Sequence, residues 1–196
     1  MNHLAHLFLS PDSELHRVGS LLGDFARGLD SEALPQPVLE GLRHHRAVDG
    51  FTDRHPDVIA SKRLFSAERR RFAGVALDIL YDHYLLRHWQ RYSSLAVDDF
   101  IDQVYRELLD NRRQMPEQMQ AVTRRIVGYD WFRSYQDLDN IGLALDRVAG
   151  RIRFRHSFTG IIEEIRSHDQ QLEAHFLSFF PQLRQHADRV SLGSRV

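Results

Sequence analysis

Cysteine is absent from this 196-residue chain, which excludes disulfides, thiolate metal ligands and a thiol nucleophile. Any metal must then be held by His, Asp and Glu, donors that favour harder ions such as Mn²⁺, Mg²⁺ or Fe²⁺ over structural zinc. Lysine is nearly absent too: Lys62 is the single one among 26 basic residues. The positive charge is therefore arginine, which grips phosphate and carboxylate with a planar fork where lysine is a point charge. A lineage bias in composition would give the same excess. No apolar run approaches the ~18 residues of a membrane span. The N-terminus lacks a basic stretch followed by an apolar one, so a cytoplasmic protein without a secretory signal is expected. A formal net charge of −1 argues against a general nucleic-acid binder.

The length suits one domain with a full core, and 42% hydrophobic residues can supply it. Nearly every segment has helical period and few β-branched runs, which predicts an all-α fold. Helices are expected near 14–28, 37–50, 56–66, 68–91, 97–112, 115–128, 139–150 and 158–180. Pro37, Pro56 and Pro116 suit first turns, and Gly28 and Gly50 suit stops. With no linker or repeat, residues 1–190 read as a single domain and 191–196 as a frayed tail. Within the last helix Phe158, Ile162, Ile165, Leu172, Phe176 and Phe179 make a buried seam. Asp169 lies on that seam, where an arginine partner would satisfy it.

Twelve histidines are many for this length, and several lie close to aspartates. The segment from Gly74 to Trp89 is apolar almost all round, which marks a buried helix. Asp78 and Asp82, four apart, lie about 40° apart on one of its stripes. Two like charges in apolar surroundings call for a cation or a proton. A divalent metal answers that need, and so do salt bridges to buried arginines. On the preceding stretch Leu42, His45, Arg46, Asp49 and Asp53 share a stripe. His45 and Asp49 can meet one ion, or Asp49 can orient the imidazole. Arg46 offers a fork for phosphate, and His44 points to the opposite face as a surface residue. Asp24 in Leu-Leu-Gly-Asp-Phe and His6 in Leu-Ala-His-Leu-Phe-Leu are further polar groups in apolar runs. A lone histidine of that kind is more often a satisfied core residue than a ligand. The spread of these groups over several helices supports a helical metal-dependent hydrolase and leaves its substrate open.

Order and spacing carry a more specific likeness. The chain reads Asn2-x-Leu-Ala-His6-Leu, Leu22-Gly-Asp24-Phe-x-x-Gly28 and His45-Arg46-x-x-Asp49-x-x-Thr52-Asp53. It continues with Leu77-Asp78-x-x-x-Asp82-His83-x-x-x-x-His88-Trp89 and Trp131-x-x-x-Tyr135-x-Asp137-x-Asp139-x-Ile141. It ends with Leu172-Glu173-x-x-Phe176-x-x-Phe179-x-Pro181. In these motifs it resembles the acyl carrier protein phosphodiesterases, distant relatives of the HD-domain phosphohydrolases. Within these motifs no His-Asp dyad occurs; Asp82-His83 is the nearest adjacent pair there, in reverse order.

The resemblance implies a single compact helical domain of the HD-domain, phosphodiesterase-like type. It implies Mn²⁺- or Mg²⁺-assisted hydrolysis of the bond between 4'-phosphopantetheine and a serine of holo-acyl carrier protein. Asp24, His45, Asp49, Asp78 and Asp82 are then the metal-ligand pool. His6 and His83 would move protons or complete the metal shell, and Arg46 would hold the phosphate. The carrier is an acidic protein partner, so arginines should surround the cleft: Arg69 to Arg71, Arg124 and Arg125, or Arg151, Arg153 and Arg155. A phosphohydrolase acting on a nucleotide or small phosphate ester, or a non-enzymatic helical module, would share parts of this pattern. No membrane or nucleic-acid partner is implied.

Overall fold

In the computed structural model, which describes residues 1–30 and 33–193, the described residues contain helices and no strand. Eleven α-helices follow in order among them. They are α1 (His3–Leu9), α2 (Glu14–Leu22), α3 (Gln36–Arg54), α4 (Pro56–Leu64), α5 (Ala73–Arg87) and α6 (Val97–Asp110). After these come α7 (Glu117–Gly128), α8 (Trp131–Ser134), α9 (Leu138–Ala149), α10 (Ile162–Ser167) and α11 (Asp169–Gly193). No described helix is long and apolar enough to cross a membrane.

The boundaries have local causes. Pro56 lacks an N–H and disfavours helical backbone in His55 before it, so it ends α3 and opens α4 in one step. The His55 ring then accepts the Asp57 N–H as a cap. Gly50, expected as a stop, lies inside α3, because nothing there forces a positive φ. The helix expected to reach Gly28 ends at Leu22, with a 3-10 turn to Phe25, and Gly28 at φ +80° sits in the turn beyond.

Other expectations change as well. The span 68–91 begins as helix only at Ala73, after a 3-10 turn over Arg70–Phe72. The last helix is two, α10 and α11, parted at His168, and Phe158 lies in the loop before them while still buried. Helix α1 is additional; its first N–H groups are held by a residue some eighty positions away, a stabilisation that local pattern cannot reveal. Helix α11 continues past His186 through Gly193, and residues 194–196 lie outside the described ones.

Helix α5 runs through the centre, packing on α1, α4, α9 and α11. Its Tyr81 and Tyr84 rings meet Phe176 of α11 at 5.5 and 5.6 Å, the aromatic heart of the core. Helices α2 and α3 touch backbone to backbone. A Cβ at Gly19 would stand 2.0 Å from the Val38 carbonyl oxygen, and one at Gly41 would stand 2.1 Å from that of His16. This close seam brings the end of α2 over the middle of α3, and so sets Asp24 beside His45. Asp169 has the arginine expected of it, Arg87 at 3.2 Å, and accepts from Tyr84 as well.

Candidate metal centre

Helix α1 contributes His6 and helix α3 contributes His45 and Asp49. The two imidazoles stack at 3.8 Å and 17°. Each turns its Nε2 to the same carboxylate: His6 lies 3.1 Å from Asp49 Oδ1, and His45 lies 3.0 Å from Asp49 Oδ2. One ligand atom from each of the three lies within 4.8 Å of the others, a spacing that one ion can bridge. The imidazoles are buried, their side chains 1% and 5% accessible, while Asp49 is 39% accessible. The carboxylate side therefore faces solvent, and the rings form the floor.

Metal-bound histidines are usually anchored through their second nitrogen. Here the Nδ1 atoms of His6 and His45 are buried without a hydrogen-bond partner among the described residues. Packing holds the rings instead. A Cβ at Gly23 would fall 2.2 Å from the His45 ring, so only glycine lets this imidazole lie flat on the turn that carries Asp24. The Leu22-Gly-Asp24 motif is thus a steric seat with an acid next to it.

Two more carboxylates ring the cluster. Asp24 Oδ1 is 4.0 Å from His45 Nε2, and its Oδ2 is 3.0 Å from His3 Nδ1. Asp78 Oδ1 and Asp49 Oδ1 lie 3.0 and 3.2 Å from the α-amino group of Met1. A cation is thus already held between two of these acids, which fits a site built for positive charge. Burial lowers the affinity of that amine for its proton, but the two aspartates outweigh it and hold its pKa at about 10.

Titration follows the same logic. Burial lowers the His6 pKa to about 3, against the opposing pull of Asp49, so the ring is neutral at pH 7 and its lone pair is available. Burial works to raise Asp49, yet His45, His6 and the amine hold it well below the usual carboxylate range. For Asp24 burial again raises and His3 lowers, with lowering the net result. The site sets ionised Asp49 and Asp24 beside the neutral His6 ring and the His45 imidazole, a donor chemistry that fits a hard divalent cation.

The remaining predicted residues fall elsewhere. Asp82 is fully buried but is not brought to the cluster. Its oxygens accept from Ala5 N at 2.9 Å, Leu4 N at 3.2 Å and Asn2 Nδ2 at 2.9 Å. It caps the first turn of α1, so three donors supply what a cation or arginine was expected to supply. Burial still dominates, raising its pKa to about 6. His83, next along α5, turns away and places Nδ1 2.8 Å from the Tyr135 carbonyl. His44 is buried, not a surface residue, because α11 covers that face of α3; burial lowers its pKa to about 4. Arg46 is exposed on the turn between His45 and Asp49. His3 beside Asp24 was not anticipated. Its nearness to an apolar run at the chain start was the available signal, but it sits at the edge of that run, where a polar residue looks ordinary.

Acid and imidazole groups from α1, α3, α5 and the turn after α2 thus meet at one open site: an all-α protein with a candidate metal centre. The chain belongs to the acyl carrier protein phosphodiesterase family, whose description matches residues 1–183. It is 36% identical over 188 residues to the acyl carrier protein phosphodiesterase of Serratia proteamaculans, covering 95% of this chain and 97% of that one. Against the protein of the same name from Pectobacterium atrosepticum identity is 34% over 193 residues, covering 98% and 100%. Against that of Escherichia coli it is 31% over 193 residues, again covering 98% and 100%. No solved structure matches the chain.

Proposed function

We propose that this protein hydrolyses the phosphodiester joining 4'-phosphopantetheine to a serine of holo-acyl carrier protein, at a divalent ion held by His6, His45 and Asp49. Family membership supports the reaction, and the two imidazoles sharing one open carboxylate carry the placement. Asp24 and Asp78 complete the ligand pool, and Mn²⁺ or Mg²⁺ suits the donor set. Asp82 and His83 act through position: one fixes the helix that bears His6, the other ties α5 to the segment around Tyr135. A bound ion supplies acidification of a water and polarisation of a phosphoryl oxygen.

The chain's own groups supply the rest. Water oxygen bonds to phosphorus as the bond from phosphorus to the serine oxygen breaks. The serine oxygen takes up a proton, leaving apo carrier and free 4'-phosphopantetheine. Asp24, open and ionised, is placed to receive the proton of the attacking water, and His3 at 3.0 Å to hold it. Neutral His6 keeps a lone pair at the centre, and Arg46 is available for a phosphoryl oxygen. The carrier and its enzyme share the cytoplasm in this reading.

Holo carrier incubated with metal-stripped protein, then with the same protein plus Mn²⁺, tests the reading by intact mass. Loss of the prosthetic group only when metal is present is expected. A carrier mass unchanged with metal overturns the substrate, and full turnover in stripped protein overturns the metal.

A further inference from the structure

A cleft of about 480 Å³ opens beside the candidate metal centre, within the range of about 300–1,000 Å³ usual for small-molecule sites. Asn2, His3 and Phe25 form part of its wall. His3 is the residue 3.0 Å from Asp24, and Phe25 follows Asp24 in sequence, so cleft and centre are continuous. Helices α7 and α9 supply facing walls through Val122, Leu143 and Ala144, and Trp131 and Tyr135 of the α8 segment close it. Between Asn140 and Val148 the α9 wall is about 12 Å long at 1.5 Å per residue. It is a channel for an extended chain, longer than a compact head group needs.

Three features of the lining select its occupant. Apolar side chains open to water where a monomer would normally hide them: Leu143 is 55% exposed and Tyr129 75%. Carboxamides stand among them. Asn140 donates Nδ2 to the Ser134 carbonyl, which leaves its oxygen free to accept, and Gln118 makes no hydrogen bond among the described residues. At the rim, Arg125, Arg147 and Arg151 have no ion pair or hydrogen bond from their guanidinium groups among the described residues. Arg69 and Arg71, by contrast, are occupied: Arg69 holds Ser157 O, Thr159 O and Glu164, and Arg71 holds Arg155 O and covers Phe72.

We propose that this cleft seats the prosthetic arm: a flexible chain with two amides and an apolar or thiol end, tethered through phosphate to an acidic protein. The assignment rests on the reaction proposed above. The arm lies along α7 and α9 with its amides on Asn140 and Gln118, its phosphodiester at the Asp24 and Asp49 end, and the carrier's acidic face on the three arginines. The neighbouring cluster Arg69 to Arg71 is thereby excluded as the docking surface, since Arg69 and Arg71 bind the loop before α10.

Free pantetheine, the arm without its phosphate, is the probe, and the indole resonance of Trp131 is the reporter. In the Mg²⁺-loaded parent the resonance should shift saturably. Ala144→Trp fills the channel, and Leu143→Glu, at an exposed position that cannot unfold the protein, puts an anion on its apolar wall. Each should weaken pantetheine binding at least about tenfold, a loss of about 1.4 kcal/mol. Each should lower the ratio of holo-carrier turnover to turnover of a small aryl phosphodiester by a similar factor. Variants that melt like the parent yet keep both quantities overturn the cleft. A parent that shifts Trp131 with pantetheine but leaves holo carrier intact upholds the cleft and refutes the reaction. A parent that strips the carrier while pantetheine leaves Trp131 unmoved refutes the cleft alone.

Discussion

Arg17 of α2 and Glu107 of α6 face each other in the interior, the guanidinium 2.6 and 2.7 Å from the two carboxylate oxygens. Asp49 faces His6 and His45 at 3.1 and 3.0 Å, but its carboxylate is open to solvent and its ring partners carry no fixed charge like that of a guanidinium. The first pair is closed: both Glu107 oxygens meet one guanidinium nitrogen, and Asp12 takes the other at 2.8 Å. The second is incomplete: acids surround imidazoles with no arginine among them, and an amine sits where a cation is wanted. A charge buried and matched belongs to the fold. A charge half-buried among metal-ligating imidazoles, with no arginine to close it, is the one we assign to function, and stability and activity should divide along that line.

The comparison breaks first if activity follows the wrong side. Asp49→Asn keeps size and removes charge, so turnover should fall by at least about 100-fold, while the metal-free melting temperature moves by only a few degrees. Kinetics and a thermal melt on one preparation check both. The mirror variant is Glu107→Ala, which leaves a buried guanidinium with only the exposed Asp12, at a cost of up to about 3–5 kcal/mol. Its melting temperature should drop by roughly 10 °C, equally with and without Mn²⁺, with turnover kept at temperatures where it is folded. A metal-dependent drop would mean that the two regions are not independent.

Asp82→Ala sharpens the boundary, because Asp82 is buried like Glu107 yet supports the helix that carries His6. Its loss leaves the Leu4 and Ala5 N–H groups unsatisfied, for about 1–3 kcal/mol. Stability should fall with or without metal, and activity with it. Stability unchanged or raised in the metal-free variant would return Asp82 to the ligand pool.

The smallest effect concerns pH. His44 titrates at about 4 in the fold against 6.5 in the unfolded chain. Between those values the unfolded chain binds a proton that the fold refuses, so stability falls as pH falls through that window. His6, at about 3, acts in the same sense; Asp82, raised to about 6, acts in the opposite one between 3.8 and 6. His44→Leu should remove up to about one proton from the slope of metal-free stability against pH, read by denaturant melts from pH 7 to 4.

Much of this was legible in the sequence, for reasons that also mark where legibility stopped. The all-α fold followed from helical period, and the buried α5 from an apolar run interrupted by two acids. His45 and Asp49 were visible because four residues along a helix put them on one face. Asp78 and Asp82 share that relation, yet part company: Asp82 meets the start of α1, some eighty residues away. Helical phase says which way a side chain points and nothing of what docks there. His44 failed likewise, since the helix that buries it comes last in the chain. Gly23 could be read as a turn residue, but its use as a seat for the His45 ring needs the contact of α2 on α3.

The central claim is that His6, His45 and Asp49 bind one divalent ion, and calorimetric titration of metal-stripped protein with Mn²⁺ tests it most directly. One ion per chain should bind the parent, and Asp49→Asn should bind at least about tenfold more weakly. A parent that takes up no Mn²⁺, or a variant that binds it as the parent does, would contradict the account.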